Sequence, residues 1–591
     1  MSSASPSPYS SLSSSYLSSL TPATSTSTFP APSSNASTES DANNGATIVK
    51  LNGGKKHRMD VVTLQNCQKM LSLAKTGSGR GKKCRQILLT DLVAIRQDEN
   101  SVKYPPVKLR SGRPRFSSKF PFQSRLATFR AKDSGYPRFH GPASPVLHLY
   151  CAVPKDKKKS VAGKWRLKVF KLEFASLHET KEWEQFLHGC LREQQRPRRL
   201  LVLLNPFGGK KKGQSIFEKE AAPVFQLADV ETTVIVTRGP YHAYSELLKR
   251  RRELSKDFDG VVSVGGDGLF NEVMSALIVG RQFERRVDAA DRKATLSAVA
   301  LPIGVIPAGS ANSTVRTLQG NDDPFTAALR IVLGEQCPVD VCAIHRGGDL
   351  LRLSAGIVSY GFLGDIIKDS EGFRHLGPIR YCVSGVRTFF RHPAYRGTVG
   401  YNLAQKGGSS PTRAPYIETE CSKDCPVCRR GRRSAQVREV GTDKHGITWQ
   451  GRSADYAHHW TNDFNHVMGC VLPCVSSFSP KGVATWTKLG DGTMDLVLVA
   501  KSSLPRIQSL SFFNRIRTDG GRGLTDERQV RVLNVERFCF VPSQGDSGEE
   551  RGAWNIDGEL LSQPSQPLHF RVHKRLIRLF GNERACEQIC G

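Results

Sequence analysis

The stretch Val261-Val262-Ser263-Val264-Gly265-Gly266-Asp267-Gly268-Leu269-Phe270-Asn271-Glu272-Val273 constrains the fold more than any other part of this 591-residue chain. Val261 to Val264 is a short, mostly β-branched run, the pattern of a strand covered on both faces. Leu269, Val273, Ala276 and Leu277 then recur at helical spacing, so strand passes into helix through a glycine-rich turn. The first N–H groups of such a helix are unpaired donors suited to anionic oxygen. Gly265, Gly266 and Gly268 would allow positive φ and a close ligand approach. Asp267 would then stand beside a bound polyphosphate. A carboxylate is a poor phosphate ligand, so three roles stay open there: base for an incoming hydroxyl, holder of Mg²⁺, or turn residue capping the helix.

From Leu200 onward apolar strands alternate with helical segments, which predicts a mainly parallel α/β sheet. Leu200 to Leu204 runs into Asn205-Pro206-Phe207-Gly208-Gly209-Lys210-Lys211-Lys212-Gly213, whose lysines would face phosphates. The spacing mimics a P-loop, but Gln214 stands where that motif needs its lysine, which excludes a Walker-type NTPase. Glu231 to Val236 ends at Thr237-Arg238, and Ala298 to Ile306 ends at Pro307-Ala308-Gly309-Ser310-Ala311-Asn312-Ser313. Ligands bind at the carboxyl edge of such sheets, so loops of this kind on one edge predict a nucleotide site.

Asn-Pro-Phe-Gly-Gly, Gly-Gly-Asp-Gly and Pro-Ala-Gly-Ser-Ala-Asn, in this order, resemble the catalytic domain shared by diacylglycerol, sphingosine and ceramide kinases, from about Arg199 to the C-terminus. The resemblance implies that Asp267 accepts the proton of a lipid hydroxyl and that Gly265, Gly266 and Gly268 bind substrate beside it. It implies that Asn205, Pro206, Phe207, Gly208, Gly209, Thr237, Glu272, Gly309, Ser310 and Asn312 line ATP. Beyond Val341 strand-like stretches take over: Leu351 to Val358, Trp486, Met494 to Val499 and Phe538 to Val541. Between them, Ser359 to Tyr381 resembles the segment of lipid kinases in which an acidic residue meets the headgroup and two arginines reach ATP. Asp365 is the headgroup candidate, with Asp369 as its alternative, and Arg374 and Arg380 are the phosphate candidates. Asp557-Gly558-Glu559 resembles the Asp-Gly-Glu that returns to the nucleotide or its metal, Mg²⁺.

Cys421, Cys425 and Cys428, inside a hydrophilic insertion at about 405–456, look like the cysteine motif of ceramide kinases. Three thiols could be part of a tetrahedral Zn²⁺ site completed by Cys470, Cys474 or His445, a redox-sensitive set, or structural residues. Upstream, residues 47–197 alternate short strands before an amphipathic helix in which Trp183, Phe186, Leu187, Cys190 and Leu191 make one stripe. That pattern resembles a pleckstrin-homology domain. Residues 1–46 are Ser-, Thr- and Pro-rich, cannot bury a core, and are expected to be disordered. No Lys or Arg precedes Lys50, which argues against a transit peptide and for the cytosol.

The expected architecture is thus an α/β nucleotide-binding lobe over 198–345 and a β-rich, sandwich-like lipid-binding lobe over 346–591, preceded by the pleckstrin-like module. A formal net charge of +31 suits an anionic partner. No signature of an RNA-binding fold accompanies it, so no nucleic acid is expected, and a peripheral anionic membrane surface is. Ile379, Val383, Val386 and Phe390 with Arg380, Arg387 and Arg391 make a basic amphipathic stripe that could attract membrane or calmodulin. The resemblance favours ceramide as substrate and ATP with Mg²⁺ as cofactors. A sphingosine or diacylglycerol kinase, or an inactive lipid-binding adaptor, are the alternatives.

Overall fold

A computed structural model of the chain describes residues 47–51, 56–63, 69–75, 85–97, 127–129, 145–156, 162–208, 211–373, 380–391, 395–404, 455–476, 479–484, 487–501, 514–515, 518, 520, 530–543, 552–561 and 566–582. Near the N-terminus run β1 (Thr47–Leu51), β2 (Lys56–Thr63), β3 (Lys69–Lys75), β4 (Arg85–Leu88), β5 (Leu92–Arg96), β6 (Ala127–Phe129), β7 (Val146–Pro154) and β8 (Trp165–Glu173), then helix α1 (Leu177–Glu193). All but β6 form one antiparallel sheet in the order β4-β3-β2-β1-β8-β7-β5. Ser176 starts α1 by accepting the N–H of Glu179. Leu187 and Cys190 of α1 are buried with Leu71, Ile95 and Leu149. Trp183 and Leu191 pack at the margin of that core, but Phe186, expected on the same stripe, faces solvent.

The central part consists of β9 (Arg199–Leu204), α2 (Gly213–Ile216), a π-helical stretch (Phe217–Ala221), α3 (Ala222–Leu227), β10 (Glu231–Val236), α4 (His242–Asp257), β11 (Gly260–Gly265), α5 (Asp267–Arg285), β12 (Ile303–Pro307), α6 (Ser313–Gln319) and α7 (Pro324–Leu333). The strands lie parallel in the order β12-β11-β9-β10. All six residues of β11 are buried, as its β-branched run requires. β12 begins at Ile303 rather than at Ala298, because Val299 donates to Leu576 O and does not join the β11 ladder. Residues 127–129 fall inside the range expected for the N-terminal module, yet as β6 they pair antiparallel with β10 at the edge of this sheet.

The C-terminal part contains β13 (Gln336–Arg346), β14 (Asp349–Ser354), β15 (Ile357–Gly361), α8 (Phe362–Ser370), α9 (Arg380–Arg391), β16 (Tyr395–Leu403), β17 (His458–Cys470), β18 (Met494–Ala500), β19 (Val530–Pro542), β20 (Trp554–Ile556), β21 (Glu559–Leu561) and β22 (Leu568–Phe580). Apart from one bridge its pairings are antiparallel; that bridge, Leu579 of β22 to Ile303 of β12, joins both parts into one mixed sheet. β22 also pairs with β13 from Gln336 to His345, so the expected border at 345/346 falls inside a strand. Trp486 lies outside the described residues. Among the described residues no helix is long and apolar enough to cross a membrane.

The N-terminal sheet is cemented to the central part. Val93, Ala94, Tyr150, Ala152 and Trp165 share a hydrophobic cluster with Phe217, Phe225 and Ile331. Arg330, fully buried, lies 4.8 Å over the Trp165 ring and is paired with Glu335 at 3.0 Å. Glu335→Ala would leave that guanidinium without its carboxylate. The expected cost is about 1–2 kcal/mol, since Glu335 is partly solvated. A lowered thermal midpoint checks this, and an unchanged one would show that solvent already screens the pair.

Candidate active site

The chain leaves β9 for β10 on one side and returns to β11 on the other, so among these parallel strands the order of connection switches sides between β9 and β11. Ligands settle in such a crevice at the carboxyl ends of the strands. Asn205 follows directly on β9 and ties it to β11, its N–H donating to Val264 O at 3.0 Å. Its Oδ1 accepts the N–H groups of Phe207 and Gly208, which curls Asn205-Pro206-Phe207-Gly208 into a tight loop with the Phe207 ring exposed. A Cβ on Gly213 would lie 2.5 Å from Asn205 O, so the helix after the loop can start there only without a side chain. Gly209 lies outside the described residues. Thr237, buried at the end of β10, donates its N–H to Leu204 O and so borders the same edge.

The turn after β11 differs from expectation in one respect. None of Gly265, Gly266 and Gly268 adopts positive φ. What they supply is the missing side chain: a Cβ on Gly266 would stand 3.1 Å from Gly309 Cα, and one on Gly309 would stand 2.4 Å from Gly266 Cα. The two loops therefore touch backbone to backbone. Asn312 holds the second loop closed by accepting the Gly309 N–H and donating to Gly309 O, itself in the left-handed region with φ 50°. Ser310 sits exposed at its tip.

Because the Asn312 side chain is spent on Gly309, the first N–H groups of α6 need another acceptor, and Asp267 is it. Its Oδ2 accepts the Ser313 N–H at 3.0 Å and its Oδ1 the Thr314 N–H at 3.1 Å. Asp267 thus caps a neighbouring helix while opening its own. That fixes the carboxylate in orientation at the mouth of the crevice.

One turn along α5, Asn271 donates to Asp557 Oδ2 at 3.2 Å. Asp557 also accepts the Ile357 N–H, and Gly356 makes room for it, since a Cβ there would lie 2.6 Å from its Oδ1. Burial first, and the Asp267 charge among lesser causes, push the Asp557 carboxyl up to about 6 against the hydrogen bonds that favour its charged form. Gly558 follows in the β20–β21 turn with φ 93°, its N–H on Asn555 Oδ1, and Glu559 is the nearest side chain to Gly268. Glu272 faces the N–H groups of Tyr241, Ala243 and Tyr244 at the start of α4; burial, with the Glu559 charge, raises its pKa against those bonds. Asn271 was not singled out from the sequence, although its place four residues after Asp267 on one helix face is a readable signal.

The β20–β21 hairpin, whose turn meets α5, also packs against α8, which carries Asp365. A Cβ on Gly364 would fall 1.9 Å from Ala553 O, so α8 lies directly on the backbone leading into β20. Asp365 Oδ2 accepts from the Tyr395 hydroxyl. Asp369 lies 3.8 Å from Arg387 of α9 and faces away toward that helix. Arg374 lies outside the described residues, as do Cys421, Cys425 and Cys428; Arg380 is placed only as the first residue of α9. Cys470 and Cys474, named as completing zinc ligands, are buried core thiols, and the hydrogen bond between them, with burial, raises the Cys474 pKa. Among the described residues no group of three metal-ligating side chains forms.

Residues 199–344 match the diacylglycerol kinase catalytic domain family and residues 434–589 the ceramide kinase C-terminal domain family. The chain is 36% identical to ceramide kinase 1 of Caenorhabditis elegans over 445 residues, covering 74% of this chain and 75% of that protein. It is 34% identical to the ceramide kinase of Homo sapiens over 503 residues, covering 76% of this chain and 90% of that protein. A crystal structure of a putative diacylglycerol kinase from Bacillus anthracis str. Sterne superposes with a TM-score of 0.42 at 17% identity, covering 66% of this chain and 99% of the other.

Proposed function

The chain belongs to the ceramide kinase family and is an ATP-dependent lipid kinase acting on ceramide, and we propose that Asp267 takes or orients the proton of the primary hydroxyl that attacks the γ-phosphoryl group. The observation that carries this is the meeting of the Gly266 and Gly309 backbones beside a carboxylate held by two N–H groups. Catalysis of phosphoryl transfer is mostly positioning and electrostatics, which a fixed carboxylate between two anion-accepting loops supplies. Asn205 to Gly209, Thr237, Glu272, Gly309, Ser310 and Asn312 line the nucleotide in this reading, with Arg374 and Arg380 reaching its phosphates.

Asn271 donates its amide to Asp557, and its own Oδ1 is buried with no hydrogen-bond partner, so this pair offers hard oxygen donors of the kind Mg²⁺ takes. Asp557 and Asn271 would hold the ion, with Glu559 of the same turn beside them, and when bound it neutralises charge on the phosphates. The Cys421, Cys425 and Cys428 set would serve zinc only with a fourth ligand from elsewhere.

The N-terminal antiparallel sheet closed by α1 is read as a pleckstrin-homology-like module, and the β-rich part around α8 as the lipid-binding lobe. A peripheral encounter with an anionic bilayer is favoured by the net charge and by Val386 and Phe390, exposed on α9 beside Arg387; the same face is what calmodulin would take.

Asp365 is assigned to the ceramide headgroup. Ceramide offers a neutral amide and hydroxyls, so Asp365→Asn, which keeps an acceptor, should cost about 1–3 kcal/mol in kcat/KM, and Asp365→Ala more. Labelled-ATP assays of both variants on ceramide, sphingosine and diacylglycerol test this. Unchanged kcat/KM on every lipid in both variants would overturn the headgroup assignment.

A further inference from the structure

Tyr395 opens β16 and is 2% exposed, with its hydroxyl on Asp365. Two glycines hold its ring. A Cβ on Gly361 would lie 2.8 Å from Tyr395 Cδ2, and one on Gly552 would lie 2.8 Å from Cδ1. Both glycines have positive φ, 94° and 95°, a conformation that itself disfavours any other residue. Tyr360 meets the ring edge-on at 5.6 Å. The phenol therefore occupies a slot between two backbones, and its hydroxyl is aimed by rigid geometry rather than by a mobile side chain. Burial, then the Asp365 charge, push its pKa far above the ordinary tyrosine value, so it stays a protonated donor throughout any working range.

We propose that Tyr395 is a positioning residue that makes Asp365 selective for a neutral amide headgroup over an ammonium. The proposal rests on the headgroup reading of Asp365. A hydroxyl dipole with its positive end on one carboxylate oxygen commits that oxygen and offsets part of the negative field. Such a carboxylate still accepts an amide N–H or a hydroxyl. It returns less Coulombic energy to an ammonium, which must give up far more hydration on entering. Specificity of this kind comes from weakening the unwanted partner as much as from strengthening the wanted one.

Tyr395→Phe keeps the ring in its slot and deletes only the hydroxyl. Ceramide and sphingosine, each presented in the same detergent micelles, are compared by kcat/KM. The value for ceramide should fall about 10-fold, mainly through the lipid KM, with the KM for ATP unchanged. The value for sphingosine should hold or rise, so the ceramide-to-sphingosine ratio drops by about 10-fold or more. In an Asp365→Asn background the same substitution should leave the ratio where that background puts it. Tyr456→Phe, which removes a buried hydroxyl bonded to His569, is the control and should leave the ratio alone. Thermal melting reports whether each variant is folded. Equal losses on both lipids, a ratio shift by the control of the same size, or a full Tyr395 effect persisting without Asp365 would each overturn the proposal. Lipid kinetics untouched in the Asp365 variants would overturn the headgroup reading and this proposal with it, whereas impaired Asp365 variants beside a silent Tyr395→Phe would overturn this proposal alone.

Discussion

Asp267→Asn is expected to lower kcat by about 10²-fold or more, the scale of losing a general base, while fold and ATP affinity persist. Asparagine is nearly isosteric with the carboxylate and can accept one of the two N–H groups, from Ser313 or Thr314, that Asp267 now accepts. Its amide then sets a donor against the other N–H, so loss of about 1 kcal/mol of stability should accompany the kinetic effect. The two consequences separate cleanly. A cap that merely loosened would move α6 and the Gly309 loop ahead of it and raise the KM for ATP. Loss of the base should leave that KM in place and lower turnover. A folded variant with near-normal kcat would end the role assigned to Asp267.

The parts of this structure that were legible in the sequence are those fixed by short-range pattern. Glu231 to Val236 is strand β10 to the residue, because the consecutive β-branched residues Thr232 to Val236 favour strand. Val261 to Leu277 reads as strand, turn and helix from its β-branched run and the helical spacing of Leu269, Val273, Ala276 and Leu277. Positive φ is not what the glycines of the turn supply, since a sequence shows that a side chain is missing but not whether φ or a neighbour demands it. Tyr395 was invisible: it lies 30 residues from Asp365, on another element, and no local period connects them. The edge pairing of Ala127–Phe129 with β10 and the bridging place of β22 are likewise long-range choices of register, set by which edge is open once the rest has folded. Asn271 lay between these cases, on a helix face that could be drawn but facing Asp557 from 286 residues away.

Gly309→Ala should be more damaging than any surface change of one methyl group. The new Cβ would stand 2.4 Å from Gly266 Cα, 2.9 Å from Asn312 Oδ1 and 3.2 Å from Gly266 N. Two of those three atoms are backbone, and the third is the side chain that closes the loop through Gly309 N–H and O. Neither side can yield cheaply: the Gly266 backbone is bound between a fully buried strand and the first turn of α5, and Asn312 already sits at positive φ. The loops must therefore separate by roughly 1 Å, a displacement that costs on the order of 10²-fold when it misplaces groups around a reacting phosphate. Because the separation also pulls Ser313 and Thr314 away from Asp267, both kcat and the KM for ATP should deteriorate, unlike in Asp267→Asn, where only turnover falls. Gly348→Ala, in the β13–β14 turn, is the comparison, since a Cβ there would meet nothing within 4 Å, and should be tolerated far better. Equal kinetics for the two alanine variants would mean that the Gly266–Gly309 contact does not hold the site, and the nucleotide would have to be placed elsewhere on the sheet edge.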